Sequence, residues 1–242
     1  VGSEMCIRDR ALGVSNILFL LSYGRDFMQA QVKYESEIKT AVLGDRTITV
    51  KNLTPVFSPQ ELEKHNRELK RAQSFIRNRH KKGSFELLFL QCAEAVFRDG
   101  RLALEKLEAS GCGELYERAL REEHVCHGEY IHHNILISRQ ETAVVNFQHF
   151  EINVQVNDIC LFLRKIMEKQ NWNGRLAARM LEAYERELAL SEQERFYLAV
   201  SLYYPEKVWK LIHHYYNSNK AWVPEKSTEK LRVFLEQDER RK

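Results

Sequence analysis

The run Cys126-His127-Gly128-Glu129-Tyr130-Ile131-His132-His133-Asn134 and the two short apolar arms after it constrain this chain more than any other stretch. The arms are Ile135-Leu136-Ile137-Ser138 and Thr142 to Phe147, with the polar turn Arg139-Gln140-Glu141 between them. Two apolar, β-branched segments around a short polar turn predict a β-hairpin. Polar side chains stand at fixed offsets on either side of it. His127, Glu129 and Asn134 precede the first arm, and Asn146 and Gln148 lie at the end of the second. The four histidines His124, His127, His132 and His133 match no zinc spacing and have no paired cysteines beside them. Cys126 next to His127 does not suggest a thiol dyad, because adjacent residues on an extended chain point to opposite faces.

The rest of the chain sets bounds. Its 242 residues suffice for one large domain or two small ones. A net charge of +3 gives no argument for nucleic acid. Five scattered cysteines without a C-x-x-C pair suggest reduced thiols in a cytosolic compartment. No apolar run approaches a membrane span, and no secretory signal is visible at the start. Residues 1–10, Val-Gly-Ser-Glu-Met-Cys-Ile-Arg-Asp-Arg, lack an amphipathic period and resemble translated adapter sequence, so they are expected to be a non-native scar.

Most of the remaining sequence reads as helix. Residues 17–24 fit a strand or a helix start equally well. Phe27 to Leu43 reads as a helix with Tyr34, Ile38, Ala41 and Val42 on one side and Gly44 as its stop, and Thr47 to Val50 as a short strand or extended loop. Ser58-Pro59-Gln60-Glu61 is a helix start with a Ser cap, Pro at the first position and Glu at the capping-box position. That helix is expected to reach about Lys82 and stop at Gly83, with Leu62, Leu69, Ala72, Phe75 and Ile76 turned inward. It carries Lys64, Arg67, Lys70, Arg71, Arg77, Arg79, Lys81 and Lys82, which form either a solvated face or a surface for an acidic partner. No aromatic residues interleave with these charges as stacking on bases would require. Further helices are expected over Phe85–Ser110, Glu114–Glu123, from Asn157, Asn173–Leu188, Ser191–Tyr204, Pro205–Asn217 and from Pro224. The late aromatic run Phe196, Tyr197, Tyr203, Tyr204, Trp209, Tyr215, Tyr216 and Trp222 reads as core packing.

The spacing His127-x-Glu129 followed by Asn134 is similar to the catalytic loop of protein kinases, H-R-D-L-x-x-x-N, in which the Asp accepts a proton and the Asn holds magnesium. Several segments together resemble the CotS-type spore coat protein family, in the aminoglycoside phosphotransferase/choline kinase-like superfamily. They are Cys126-His-Gly-Glu-Tyr-x-x-His-Asn-Ile-Leu136, Val144-Val-Asn-Phe-Gln148, Asp158-Ile-Cys-Leu-Phe-Leu-Arg-Lys-Ile-Met-Glu-Lys169, Asn171-Trp172, Leu181-Glu-Ala-Tyr184, Tyr204-Pro-Glu-Lys-Val-Trp209 and Tyr215-Tyr-Asn217. The resemblance covers roughly residues 55–240. It implies an α+β, mostly helical fold: a protein kinase-like C-terminal lobe over 55–242 with a short catalytic-loop β-hairpin. Residues 11–54 would then be a remnant of a small N-terminal lobe that is largely missing.

The resemblance places Glu129 at the catalytic Asp position, His127 as the structural His of the loop, and Asn134, Asn146 and Gln148 at the magnesium positions. The identities depart from the superfamily pattern. Glu129 adds a methylene to the expected Asp, and a misplacement of about 1 Å can cost on the order of a hundredfold in rate. Asn146 and Gln148 stand where acids are expected, and an amide brings no charge to a hard cation. No glycine-rich phosphate loop or nucleotide-binding lysine can be assigned. The expectation is a pseudokinase without a cofactor, made in the mother-cell cytoplasm and assembling on the spore coat. Its partners would be other coat proteins, met through the basic helix 61–82, and neither nucleic acid nor membrane. The alternative is a small-molecule phosphotransferase that uses Mg-ATP with Glu129 as base.

Overall fold

The structure, a computed structural model, describes residues 5–6, 31–35, 38–43, 46–50, 57–137, 142–149, 151–217 and 225–242. In chain order the strands are β1 (Met5–Cys6), β2 (Gln31–Glu35), β3 (Ile38–Leu43), β4 (Arg46–Val50), β5 (Val125–Cys126), β6 (Ile135–Ile137), β7 (Thr142–Val144) and β8 (Glu151–Ile152). The helices are α1 (Pro59–Arg77), α2 (Ser84–Ala109), α3 (Cys112–Arg121), α4 (Val156–Lys169), α5 (Gly174–Glu187), α6 (Glu192–Tyr203), α7 (Glu206–Asn217) and α8 (Glu225–Arg241). The result is mostly helical with small sheets.

Strands β2, β3 and β4 form an antiparallel sheet with β3 at its centre, where Ala41 stands opposite Val32 on one side and Ile48 on the other. The helix expected over Phe27–Leu43 is therefore corrected: Gln31–Leu43 contains two paired strands. The apolar residues chosen for a 3.6-residue period also fit a period of two, with Val32 and Tyr34 alternating against Gln31, Lys33 and Glu35. The β-branched residues Val32, Ile38, Thr40 and Val42 favour the extended form. Residues 17–24, Phe27–Ala30 and Gly44 lie outside the described residues. Residues Met5 and Cys6, within the segment set aside as foreign, pair with Ile137 and Leu136 of β6.

The chain divides into two compact units, residues 1–56 with 112–198 and residues 57–111 with 199–242. The second unit is helical. Its α1 starts where the capping signal places it, with the Glu61 N–H donating to Ser58 Oγ at 3.2 Å. It ends at Arg77 and not near Lys82. The reason lies on α2. Buried Glu86 receives Arg79 at 2.7 Å, the Tyr215 hydroxyl at 2.9 Å and the Gly83 N–H at 2.7 Å. Gathering these donors around one buried carboxylate turns the chain over residues 78–83, so Gly83 starts α2 where it was expected to stop α1. Leu69, Ile76, Phe85, Phe89, Val96, Val208, Leu231 and Phe234 form the core of this unit. Phe75, expected to face inward, is 54% exposed.

In the first unit β6 and β7 close the expected hairpin, with Ile135 opposite Val144 and Ile137 opposite Thr142. Ser138 and the turn Arg139–Glu141 lie outside the described residues. Strand β5 pairs with β8, Val125 opposite Ile152. Helix α4 turns Ile159, Phe162, Leu163 and Ile166 into the core beneath these strands. Helices α5 and α6 begin at side-chain caps, Asn173 and the reciprocal Ser191–Glu194 pair. Of the late aromatic run, Tyr197 and Tyr204 are buried, Phe196 is 40% exposed, and Trp222 lies outside the described residues.

Candidate functional site

The site is carried by β5, β6, β7 and the first turn of α4, all in one unit. The chain leaves β5 at Cys126 and turns at Gly128, whose φ is +76°. A Cβ on Gly128 would overlap the His149 carbonyl oxygen and stand 2.9 Å from its carbon. Glycine therefore meets two demands at once, a left-handed backbone and a close chain crossing.

His127 is fully buried and both ring nitrogens meet the backbone. The Glu129 N–H donates to Nδ1 at 3.1 Å, and Nε2 lies 3.0 Å from the Val145 carbonyl. An imidazole arranged in this way is neutral, with its proton on Nε2. Burial lowers its pKa, against the opposing pull of the Val145 carbonyl and Glu129. The ring thus ties the loop before the hairpin to the chain leaving β7. A second tie is the Val145 N–H, which donates to the Asn134 carbonyl at 2.9 Å.

From below, the loop is held by Asp158 in the first turn of α4. Its carboxylate accepts the His127 N–H at 2.6 Å and the Gly128 N–H at 3.0 Å. Burial pushes the Asp158 carboxyl up to about 7 although the two N–H donors pull it down, and nearby Glu151 adds to the rise. In the sequence Asp158 stands out only as the first residue of the helical segment Asp158–Lys169. The available signal was an acid followed directly by the apolar run Ile159-Cys160-Leu161-Phe162-Leu163.

The polar ends converge on one point. Asn134 donates its Nδ2 to the Glu129 carbonyl at 2.8 Å, which leaves its Oδ1 facing Asn146. Asn146, held at φ +69°, directs its Nδ2 at Asn134 Oδ1 (3.4 Å) and at Glu129 Oε2 (3.3 Å). The amide orientation of Asn146 follows from its neighbours, since a carboxylate and an amide oxygen both require a donor. The other carboxylate oxygen of Glu129 lies 3.5 Å from His149 Nε2, on the short turn Phe147–His149. His149 was not singled out in the sequence; it follows the hairpin by a few residues and has no spacing signature of its own. The structure therefore brings Glu129, Asn134 and Asn146 together and places His127 behind them. The side chain of Gln148 lies outside the described residues.

A kinase-like site would hold a divalent cation between these side chains and nucleotide phosphates. The residues present do not fit one. The cation would need oxygens from Glu129, Asn134 and Asn146, but the first two already accept from the third, and the third presents N–H. Among the described residues no group of three or more His, Cys, Asp or Glu could hold a metal ion. Cys126 is also unsuited to chemistry, because it is buried, its S–H donates to the Asn153 carbonyl at 3.4 Å, and burial raises its thiol pKa well above the ordinary range.

This architecture, mostly helical with small antiparallel sheets, is similar to the fold of a phosphotransferase. Among solved structures, the crystal structure of aminoglycoside phosphotransferase from Alicyclobacillus acidocaldarius subsp. acidocaldarius DSM 446 is similar to 95% of this chain, with a TM-score of 0.78 and 17% sequence identity. The chain spans 64% of that protein's length. No protein-family model matches the sequence, and no curated protein matches it. Among the described residues no helix is long and apolar enough to cross a membrane.

Proposed function

We propose that this chain is a pseudokinase: a kinase-like fold that has given up phosphoryl transfer and serves as a structural component in spore coat assembly. The observation that carries the first part is the direction of the Asn146 amide. Its N–H group occupies the side of Glu129 and Asn134 where a phosphotransferase would need a cation, so the site is satisfied by its own hydrogen bonds. Both acids of the superfamily's magnesium strand are amides in this chain. The coat role is supported by the resemblance of residues 55–240 to the CotS-type proteins. Its partners would be other coat proteins, reached through the basic stretch 61–82 that begins in helix α1, with synthesis in the mother cell.

The experiment is a turnover assay with magnesium and γ-labelled ATP, offered aminoglycosides and choline as acceptors. No turnover above the Glu129→Ala variant is expected. Magnesium-dependent turnover that disappears in Glu129→Ala would establish the rival reading, a small-molecule phosphotransferase with Glu129 as base.

A further inference from the structure

Among the described residues, the basic helix α1 leaves one face open beside α7. Ala72 and Phe75 on α1 and Ile212 and Tyr216 on α7 floor a groove of about 350 Å³. Phe75 stands edge-on to Tyr216, with ring centroids 5.4 Å apart and planes at 85°. An aromatic ring more than half exposed at the mouth of an apolar groove is an anchor point for another side chain.

The rim carries one carboxylate, Glu68, and one guanidinium, Arg71. Glu68 lines the groove, but its carboxylate is engaged by Trp209 Nε1 at 2.7 Å and His213 Nδ1 at 3.1 Å. The side chain of Arg71, one helical turn before Phe75, makes no ion pair or hydrogen bond with any described residue. Arg67, a further turn back, is paired with Glu63 at 3.4 Å, and both side chains are more than half exposed, so the pair is readily exchanged. Over residues 59–82 eight lysines and arginines stand against three glutamates, in a chain whose net charge is only +3.

We propose that this groove docks an acidic amphipathic segment of a partner protein. An aliphatic or aromatic side chain seats on Phe75 and Tyr216, and a carboxylate three or four residues away meets Arg71. The spacing follows from α1 itself, where Arg71 and Phe75 are about 6 Å apart along the axis. Nucleic acid could stack a base on Phe75, but its backbone needs a track of cations, and Arg71 is the one lysine or arginine lining the groove. A lipid surface would need apolar side chains that protrude, whereas these four line a concavity. The inference rests on the assembly reading and narrows it from the whole basic helix to one groove. Arg79 belongs to the buried Glu86 network, so its reversal would disturb the fold and is unsuitable as a probe.

The test uses the full chain and a fluorescein-labelled synthetic helix of glutamate and leucine, with the two residue types four apart, read by anisotropy. The peptide is expected to bind, and Arg71→Glu and Phe75→Ala are each expected to weaken it about tenfold. Both positions are exposed, and circular dichroism should show unchanged melting. Arg77→Glu, on another face of the helix, should change affinity less than about twofold. A lysine/leucine peptide of the same pattern should not bind. No binding of the acidic peptide, equal binding of the basic one, or indifference to both groove variants would overturn the proposal. So would a dimer in sedimentation that dissociates in Phe75→Ala, which would give the groove to a second copy. If Arg77→Glu weakens binding as much as Arg71→Glu, the groove is refuted and the broader basic helix stands.

Discussion

Replacing Gly128 with alanine probes how firmly the loop is held. Alanine at φ +76° costs about 1–2 kcal/mol for the left-handed backbone. The new methyl would stand 2.9 Å from the His149 carbonyl carbon, while carbon atoms pack at about 3.5–4.0 Å. The loop must therefore shift by at least half an ångström or so. That shift stretches the Gly128 N–H bond to Asp158, now 3.0 Å, toward the limit of a useful hydrogen bond. Weakening a hydrogen bond to this carboxyl costs roughly 0.5–1.5 kcal/mol. Together the loss is about 1.5–3.5 kcal/mol, a large share of the 5–15 kcal/mol typical of a folded domain. Urea unfolding followed by far-ultraviolet circular dichroism measures it directly. Gly113→Ala is the internal control. Gly113 lies in the first turn of α3, and a Cβ there meets nothing within 4 Å, so this change should be neutral or stabilising by up to about 1 kcal/mol. A loss below about 1 kcal/mol for Gly128→Ala, or equal effects at the two glycines, would refute the close crossing of loop and turn.

Two further predictions concern buried carboxylates. The Asp158 carboxyl is raised from 3.8 to about 7, so the folded chain keeps a proton there that the unfolded chain releases in that range. Its contribution is fully present below about pH 4 and declines as the pH rises to about 7, by up to about 1.4 kcal/mol per pH unit. Asp158→Asn cannot titrate, so the fall in stability across that window should flatten in chemical denaturation at stepped pH; an unchanged slope would contradict it. Arg79→Ala removes the cation from Glu86, whose side chain is 3% exposed, and should cost about 1–3 kcal/mol. Arg77→Ala breaks a pair whose partners are 59% and 77% exposed and should cost less than about 0.5 kcal/mol in the same thermal melts.

The readable parts of this fold were those governed by local chemistry. The hairpin could be read because β-branched arms and a polar turn fit one conformation. The starts of α1, α5 and α6 could be read because Ser58, Asn173 and Ser191 cap the helices that follow them. The end of α1 could not, because what stops it is Glu86 on the next helix, which gathers Arg79 and Gly83. Strands β2 and β3 read as helix because a short apolar run satisfies both periods, whereas Thr47–Val50 alternates and lies within β4. At the site, the spacing of Glu129, Asn134 and Asn146 anticipated their meeting. The direction of the Asn146 amide could not be anticipated, since it is set by what Asn134 and Glu129 leave unpaired. Asp158 reaches back 30 and 31 residues to support Gly128 and His127, a contact with no local trace in the sequence.

The central claim is that Asn146 closes the site to divalent cations, and manganese binding tests it most directly. Electron paramagnetic resonance of Mn²⁺ with ATP should show no bound signal for the wild-type chain and a bound signal for Asn146→Asp. That variant sets a second carboxylate about as near Glu129 as the 3.3 Å amide contact it replaces. Without metal it should therefore be less stable than wild type, and manganese should restore it. Binding of manganese and ATP by the wild-type chain at micromolar concentration, unaffected by Asn146→Asp, would contradict the account.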